Sequence, residues 1–460
     1  MKIASRRYLP RLPRERSVIL HRAQQRQTMT LSQQLISLIR TKEVSDSDMH
    51  RAAFLTLDAI ANAIAGRNTE PGRKLLEWGR QQGRDAGRRA FVIGGLTHIL
   101  ETDDLHRTSV THPGCVVVPA VVAAADADAA TGTDFLRAVL HGYEAMCRIG
   151  NAVGPAHYQI WHNTSTCGPY GSAMAMASLN RLSDTQAMHA LGNAGTQSSG
   201  LWEFLDTGAM SKHLHAARAA ESGMIAAGLA ALQFTGPPKI LEGGKGFFAA
   251  ACPDAIPSAV TASRQAPWEL TQTSIKPWPC CRHTHPSIDA ALELHGELNG
   301  AEIEKVDVET YQVALDVCDR PLAENEYKAK FSLQHTVAVA LRNGSVNFQS
   351  FDPEVRKELA SLRQKISVAA AEPWMSAYPA SWGARVTVTT NNGSEHKADR
   401  AGARGDPELA LDDNEMLEKA HMLLEFGGCD RADRSRIIDS IVSLPTSGID
   451  IVAFLRNQFI

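Results

Sequence analysis

Apolar residues recur every three or four positions through most of residues 29–248, and every second position in three short runs farther along the chain. Met49, Ala53, Leu57, Ile60 and Ile64 carry the helical spacing, with capping side chains from Ser45 to Asp48 ahead of them and Gly66 as a stop. The same period predicts helices over 72–82, 85–100, 116–128, 133–150, 171–179, 184–198 and 212–234. Many of these segments are rich in Ala and Gly. Small side chains let helix axes approach closely, so the expected arrangement is a tight bundle of buried helices.

After Pro257 the pattern changes. Val306–Tyr311, Ile366–Val368 and Arg385–Thr389 alternate with period two, and the last run leads into Asn391-Asn392-Gly393, a hairpin signal. Helical patterns at 284–297 and 330–343 lie between them, which predicts an α+β unit around a small antiparallel sheet. From about residue 412 the chain turns helical again, through Glu415–Glu418 and Arg434–Leu444. The fold class is therefore α+β. Its expected parts are a tail over 1–28, a helical domain over 29–267, an α+β domain over 268–403, and C-terminal helices over 404–460 that return to the helical domain.

Composition narrows the function classes. The 460 residues are 44% hydrophobic and 21% charged, enough to bury a large core, and a net charge of −3 gives no global reason to bind nucleic acid. Eighteen consecutive apolar residues occur nowhere, so no membrane span is expected. The N-terminus is rich in Arg (Arg6, Arg7, Arg11, Arg14, Arg16) but lacks the apolar run of a secretory signal. Eight scattered cysteines form no CxxC or zinc-like spacing, which fits reduced thiols in the cytoplasm and no metal centre.

Four places gather more polar groups than a core would tolerate. Residues 101–114 hold Glu101, Asp103, Asp104, His106 and His112 directly after an apolar helix, a set able to supply an acid or a base. Residues 162–171 put His162, Asn163, Thr164, Ser165 and Thr166 before a helix start, where backbone N–H groups favour a carboxylate; simple capping by Thr164 or Thr166 is the plainer alternative. Residues 208–220 place Lys212 and Arg218 in an Ala-rich helix, where a buried lysine needs an anionic partner unless it snorkels outward. Residues 274–286 place Lys276, Cys280, Cys281, Arg282, His283 and His285 at the presumed boundary between domains, a common ligand position. Gly243-Gly244-Lys245-Gly246 lacks the full phosphate-loop spacing and reads as a turn.

An ordered series of motifs over about residues 30–450 resembles the MmgE/PrpD family, which includes 2-methylcitrate dehydratase, cis-aconitate decarboxylase and iminodisuccinate epimerase. It runs through Asp58-Ala59-Ile60, His98 to Asp104, Thr111-His112-Pro113, Gly142-Tyr143-Glu144, His162 to Gly168, Ser211 to Ala216, Lys276 to Cys280 and Lys330-Phe331-Ser332. The resemblance implies a large helical domain with a smaller α+β lid, a homodimer, a cleft site without cofactor, and a small polycarboxylate substrate. It places Glu101, His112, His162, Lys212 and Lys276 in the pocket; together with the polar clusters, the expected catalytic residues are Glu101, His112, His162 and Lys212, and the expected substrate contacts Lys276, Thr164, Asp104 and His283. The chain departs from the pattern in three ways: glutamate stands where aspartate is common at Glu101, and Cys281 and Cys318 fall where the decarboxylase carries a histidine and a tyrosine. These departures favour a hydro-lyase over a decarboxylase. An epimerase of a substituted succinate is the alternative enzyme, and a silent carboxylate-binding protein the alternative class.

Overall fold

The computed structural model describes residues 29–83, 85–126 and 129–459. Nine helices of eight residues or more build its first part: α1 (Leu31–Thr41), α2 (Asp46–Gly66), α3 (Glu70–Gln81), α4 (Ala86–Thr97), α5 (Gly114–Ala124), α6 (Gly132–Gly150), α7 (Asn163–Leu179), α8 (Asp184–Gly195) and α9 (Ser211–Ala231). Sequence chemistry sets their starts. Ser45 and Asp48 form a reciprocal capping box at α2, as Thr131 and Asp134 do at α6. The two helices end at Gly66 and Gly150, and α2 is buried along almost its whole length.

Close packing of α6 on α7 depends on glycine. A Cβ on Gly142 would lie 2.5 Å from Val117 Cγ1 and 3.0 Å from the Gly171 carbonyl, so the small residues noted in the sequence are what bring the axes together. The helical part shares one large core, to which the C-terminal helices α12 (Asp413–Phe426) and α13 (Arg431–Val442) contribute by packing on α2.

The smaller part holds a second core around Ile288, Leu294, Val306, Val308, Val337, Val386 and Val388. Helices α10 (His285–Leu298) and α11 (Leu333–Asn343) pack against a sheet of β3 (Ile303–Thr310), β4 (Ile366–Ala370), β5 (Ala384–Thr390) and β6 (Glu395–Arg400), in the order β4-β3-β5-β6. The β5–β6 hairpin turns where Asn391-Asn392-Gly393 predicts, with Gly393 at φ +81°. The sheet is not purely antiparallel as expected: β4 runs parallel to β3. The chain between them passes through α11 and several short helices, a crossover long enough to return in the same direction. The architecture is thus the large helical body with a smaller β-containing lid.

Two boundaries move. The helix expected over 171–179 begins eight residues earlier, so the polar stretch after His162 forms its first turns and Pro169 lies inside it. The helix expected to reach 128 ends at Ala124, and residues 127–128 lie outside the described residues. Among the described residues no helix is long and apolar enough to cross a membrane.

A two-residue ladder joins the parts. β1 (Leu105–His106) pairs antiparallel with β2 (Thr273–Ser274), which draws the 101–114 loop beside the chain that continues to Lys276.

Candidate active site

Glu101 follows α4 at φ +61°, a backbone conformation costing a non-glycine residue about 1 kcal/mol. This bend carries its buried carboxylate to two lysines. Lys212, at the start of α9, binds Glu101 Oε1 at 2.5 Å, and Lys276 Nζ lies 3.6 Å from Oε2 and donates to the Glu101 carbonyl at 3.1 Å. Asp103 completes the set, with Oδ1 3.5 Å from Lys276. Two carboxylates and two lysines therefore form one closed group, each side chain at most 4% exposed. Burial opposes ionisation of Glu101, yet Lys212 and Lys276 outweigh it and hold its pKa at about 2. Burial likewise opposes charge on Lys276, and Asp103 and Glu101 reverse the sign and raise its pKa.

Asp103 also organises imidazoles. His98 Nδ1 donates to its Oδ2 at 2.6 Å, leaving the buried His98 Nε2 without a partner. His112 lies 3.4 Å from the same oxygen, while its Nδ1 donates to the Asp104 carbonyl at 2.6 Å. That bond fixes the neutral tautomer with its lone pair on Nε2. The His112 side chain is 12% exposed, the most open of this group. Burial outweighs Asp103 and lowers its pKa to about 4, so it is a free base at neutral pH.

The remaining expected residues fall around this centre. Thr164 Oγ1 accepts from the His112 backbone N–H at 3.0 Å and so positions the imidazole. His162 caps α7 by position without a side-chain capping bond; it stacks 5.7 Å from His98, and its Nδ1 lies 3.2 Å from His215 Nδ1. Neither Thr164 nor Thr166 caps the helix, which leaves the plainer alternative without support. The Asp104 carboxylate turns to the start of α5, accepting from the Gly114 N–H at 3.0 Å and the Tyr143 hydroxyl at 2.8 Å. Burial and Asp103 push its pKa up to about 8, so at neutral pH it is mostly a neutral acid. His283 stacks on Trp382 at 4.5 Å and bonds the Tyr311 hydroxyl at 2.7 Å, within the lid. The centre thus gathers Glu101, His112, Lys212, Lys276 and Thr164, with His162 beside it, while Asp104 and His283 spend their polar atoms elsewhere.

The structure also brings Asp103, His98 and His215 to this group, and the sequence pattern assigns none of them a role. Asp103 was visible between two assigned acids, but alternation along an irregular loop does not say which carboxylate points inward. His98, Asp103 and Cys115 bring one donor atom each within 4.8 Å of one another. Lys276, 3.5 Å from Asp103, opposes a cation there.

Lys276 owes its place to the next turn of chain. Ile275 N–H donates to the Gly405 carbonyl at 2.8 Å, Ser274 Oγ to Asp406 at 2.6 Å, and Arg282 and Arg107 both pair with Asp406. Gly405 sits at φ +88°, and a Cβ there would lie 1.9 Å from the Ile275 carbonyl oxygen. Gly405→Ala is expected to cost at least about 2 kcal/mol from strain and clash together. Gly393→Ala, equally strained at φ +81° but in open space, is expected to cost about 1 kcal/mol. Urea denaturation of the two variants measures the difference, and equal losses would refute the close contact.

Acid sensitivity is built into the same region. Burial lowers His112 to about 4, and His213 and His283 to about 3, whereas an unfolded chain takes up these protons near 6.5. The unfolded state therefore binds more protons below pH 6.5, and stability falls as pH drops from about 6.5 toward 4. Each such imidazole adds a slope of about 1.4 kcal/mol per pH unit within that window. Denaturant midpoints between pH 7.5 and 4.5 test this, and a flat profile would count against it.

A cavity of about 630 Å³ opens between the helical part and the lid, lined in part by Met210, His213, Tyr327 and Lys330. His213, one of its lining residues, follows Lys212 in α9 and feels the charge of Glu101.

Comparison with known sequences identifies relatives of the chain. Residues 33–259 match the MmgE/PrpD N-terminal domain, and residues 278–444 the MmgE/PrpD C-terminal domain. A cis-aconitate decarboxylase-like protein of Aspergillus oryzae is 27% identical over 290 residues, covering 56% of this chain and 60% of that protein, less than two thirds of its length. The cis-aconitate decarboxylase of Aspergillus terreus is 25% identical over 403 residues, 78% of this chain and 81% of that protein. The human cis-aconitate decarboxylase is 28% identical over 360 residues, 70% and 73% of the two chains.

Proposed function

The chain belongs to the MmgE/PrpD family, and from that premise we propose that it is a lyase that dehydrates a small hydroxylated di- or tricarboxylic acid. Membership supports catalysis on a carboxylic acid. The finer reading rests on one observation: a neutral His112 with its lone pair on Nε2, held beside two buried lysines.

A substrate carboxylate competes with Glu101 and Asp103 for Lys212 and Lys276. His112 Nε2 then takes the proton from the adjacent carbon, and charge moves into the carboxylate as an enediolate-like species that the lysines stabilise. The carbon–oxygen bond to the neighbouring hydroxyl breaks, a carbon–carbon double bond forms, and the hydroxide leaves as water with a proton from a cationic neighbour. Burial also favours a neutral His162, which desolvation, then the neighbouring His98 and His215, holds well below its usual pKa. Neutral imidazoles suit a first step that removes a proton.

A second reading is decarboxylation, favoured by the activity for which the relatives are named. It would use the same lysines to hold the anion left by carbon dioxide. Proton NMR in deuterated water, with citrate-like hydroxy acids, cis-aconitate and both stereoisomers of iminodisuccinate, tests these readings. A new vinyl signal from a hydroxy acid supports the dehydratase. Carbon dioxide release from cis-aconitate moves the assignment to the decarboxylase, and deuterium at the α-carbon without a vinyl product moves it to an epimerase. Silence with every substrate overturns the catalytic reading in favour of carboxylate binding.

A further inference from the structure

A third buried lysine reaches the loop of Glu101 and Asp103 from the far end of the chain, and the proposed reaction does not use it. Lys419 projects from α12, and its Nζ makes two contacts. One is an ion pair with Asp58 Oδ1 of α2 at 2.5 Å, and the other a hydrogen bond at 2.7 Å to the carbonyl of Thr102, 317 residues earlier. The same segments are tied a second time. Asn62, one turn after Asp58, donates to Asp58 Oδ2 at 3.3 Å, and its own Oδ1 accepts from the Thr102 hydroxyl. Lys419, Asp58, Asn62 and Thr102 therefore close a ring, and all four side chains are buried.

The ring's place in the fold gives it a role. A buried ion pair adds little net stability over a well-packed apolar pair, so its distinguishing effect is to fix an atom that an apolar contact leaves free. That atom is the carbonyl oxygen of the peptide between Thr102 and Asp103. The preceding peptide, between Glu101 and Thr102, gives its carbonyl to Lys276 at 3.1 Å. Two lysines thus hold two successive peptide groups directly after the φ of +61° at Glu101. Strained backbone persists only where its surroundings over-determine it, and these two bonds do so. With both peptide planes set, the Asp103 carboxylate meets Lys276 at 3.5 Å and His98 Nδ1 at 2.6 Å.

We propose that Lys419 is a positioning residue of the site: by holding the Thr102 carbonyl against α12, it aims Asp103 at Lys276 and His98. It touches no reacting atom and acts through Thr102. Its effect on turnover rests on the proposed function; its effect on the bond between Asp103 and His98 does not.

The test compares the full wild-type chain with two variants, each carrying isotope-labelled histidine. Lys419→Met combined with Asp58→Asn removes the hold on Thr102 and leaves no unpaired charge in the ring. Lys419→Arg keeps Asp58 paired, and so keeps the fold even where the double variant does not, but its planar fork cannot put a donor where Nζ stood. The readout is the proton on His98 Nδ1. Shared with a carboxylate at 2.6 Å, it is strongly deshielded and resonates downfield of the amide protons, and His98→Asn identifies it by its loss. Urea denaturation shows which variants are folded. In each folded variant the resonance is expected to move or disappear, and kcat to fall about 10- to 100-fold, as a misplacement approaching about 1 Å would cause. A wild-type resonance in either folded variant overturns the positioning role, whatever happens to turnover. A displaced resonance with unchanged turnover of a proven substrate overturns its bearing on catalysis. Absence of turnover in the wild type counts against the proposed function and leaves the resonance to decide the role of Lys419.

Discussion

Replacing Lys212 with methionine is expected to lower kcat/KM by about 100- to 1,000-fold and folding stability by about 3–5 kcal/mol. The stability loss comes from what remains. Glu101 is 2% exposed and holds Lys212 at 2.5 Å, so the variant leaves a buried carboxylate with only the longer 3.6 Å contact to Lys276. Asp103, also ionised, then repels it. The activity loss has a separate origin, the missing positive charge at the enediolate. A double variant separates the two: Lys212→Met with Glu101→Gln is expected to regain most of the stability, because no unpaired charge stays buried, and none of the activity. Urea denaturation and substrate turnover on both proteins provide the measurement. Wild-type stability in the single variant would mean the pair is solvated and not buried, and activity in the double variant would remove Lys212 from the chemistry.

His112→Asn is expected to lower kcat by about 100- to 10,000-fold while changing stability by only about 1 kcal/mol. Asparagine can keep a donor to the Asp104 carbonyl, which His112 Nδ1 reaches at 2.6 Å, but it has no basic nitrogen in place of Nε2. Position survives and proton transfer is lost. His98→Asn is the paired control, since His98 also rests on Asp103 and has an unpartnered Nε2. Activity that survives in His112→Asn but disappears in His98→Asn would move the base to His98. Thermal melts alongside turnover keep a folding defect from being read as a chemical one.

The polar clusters were legible because they interrupt a regular pattern. Glu101, His112, Lys212 and Lys276 each stand beside an apolar helix or strand, where an ionisable side chain needs a partner, and the four meet in one group. The hairpin at Asn391-Asn392-Gly393 and the capping box at Ser45 were equally local signals. What failed were matters of distance and direction. The start of α7 at Asn163 was hidden because polar residues look like loop until burial pairs them, as Thr166 pairs with His157 at 2.9 Å. The direction of β4 depends on how a long crossover packs, which alternation within a strand does not encode.

By itself the sequence determined the elements, their class and the chemical types available, because capping, periodicity and the cost of burying charge act over a few residues. Only the tertiary structure decided which of those groups share a space. The β1–β2 ladder draws the 101–114 loop to Lys276, Gly405 and Asp406 hold that segment in place, and α9 delivers Lys212 from more than a hundred residues away. After the bend at Glu101, Asp103 faces Lys276 while Asp104 turns to the Gly114 N–H. Charges separated in sequence acquire their pKa values from neighbours and burial, and both exist only once the chain has closed around them.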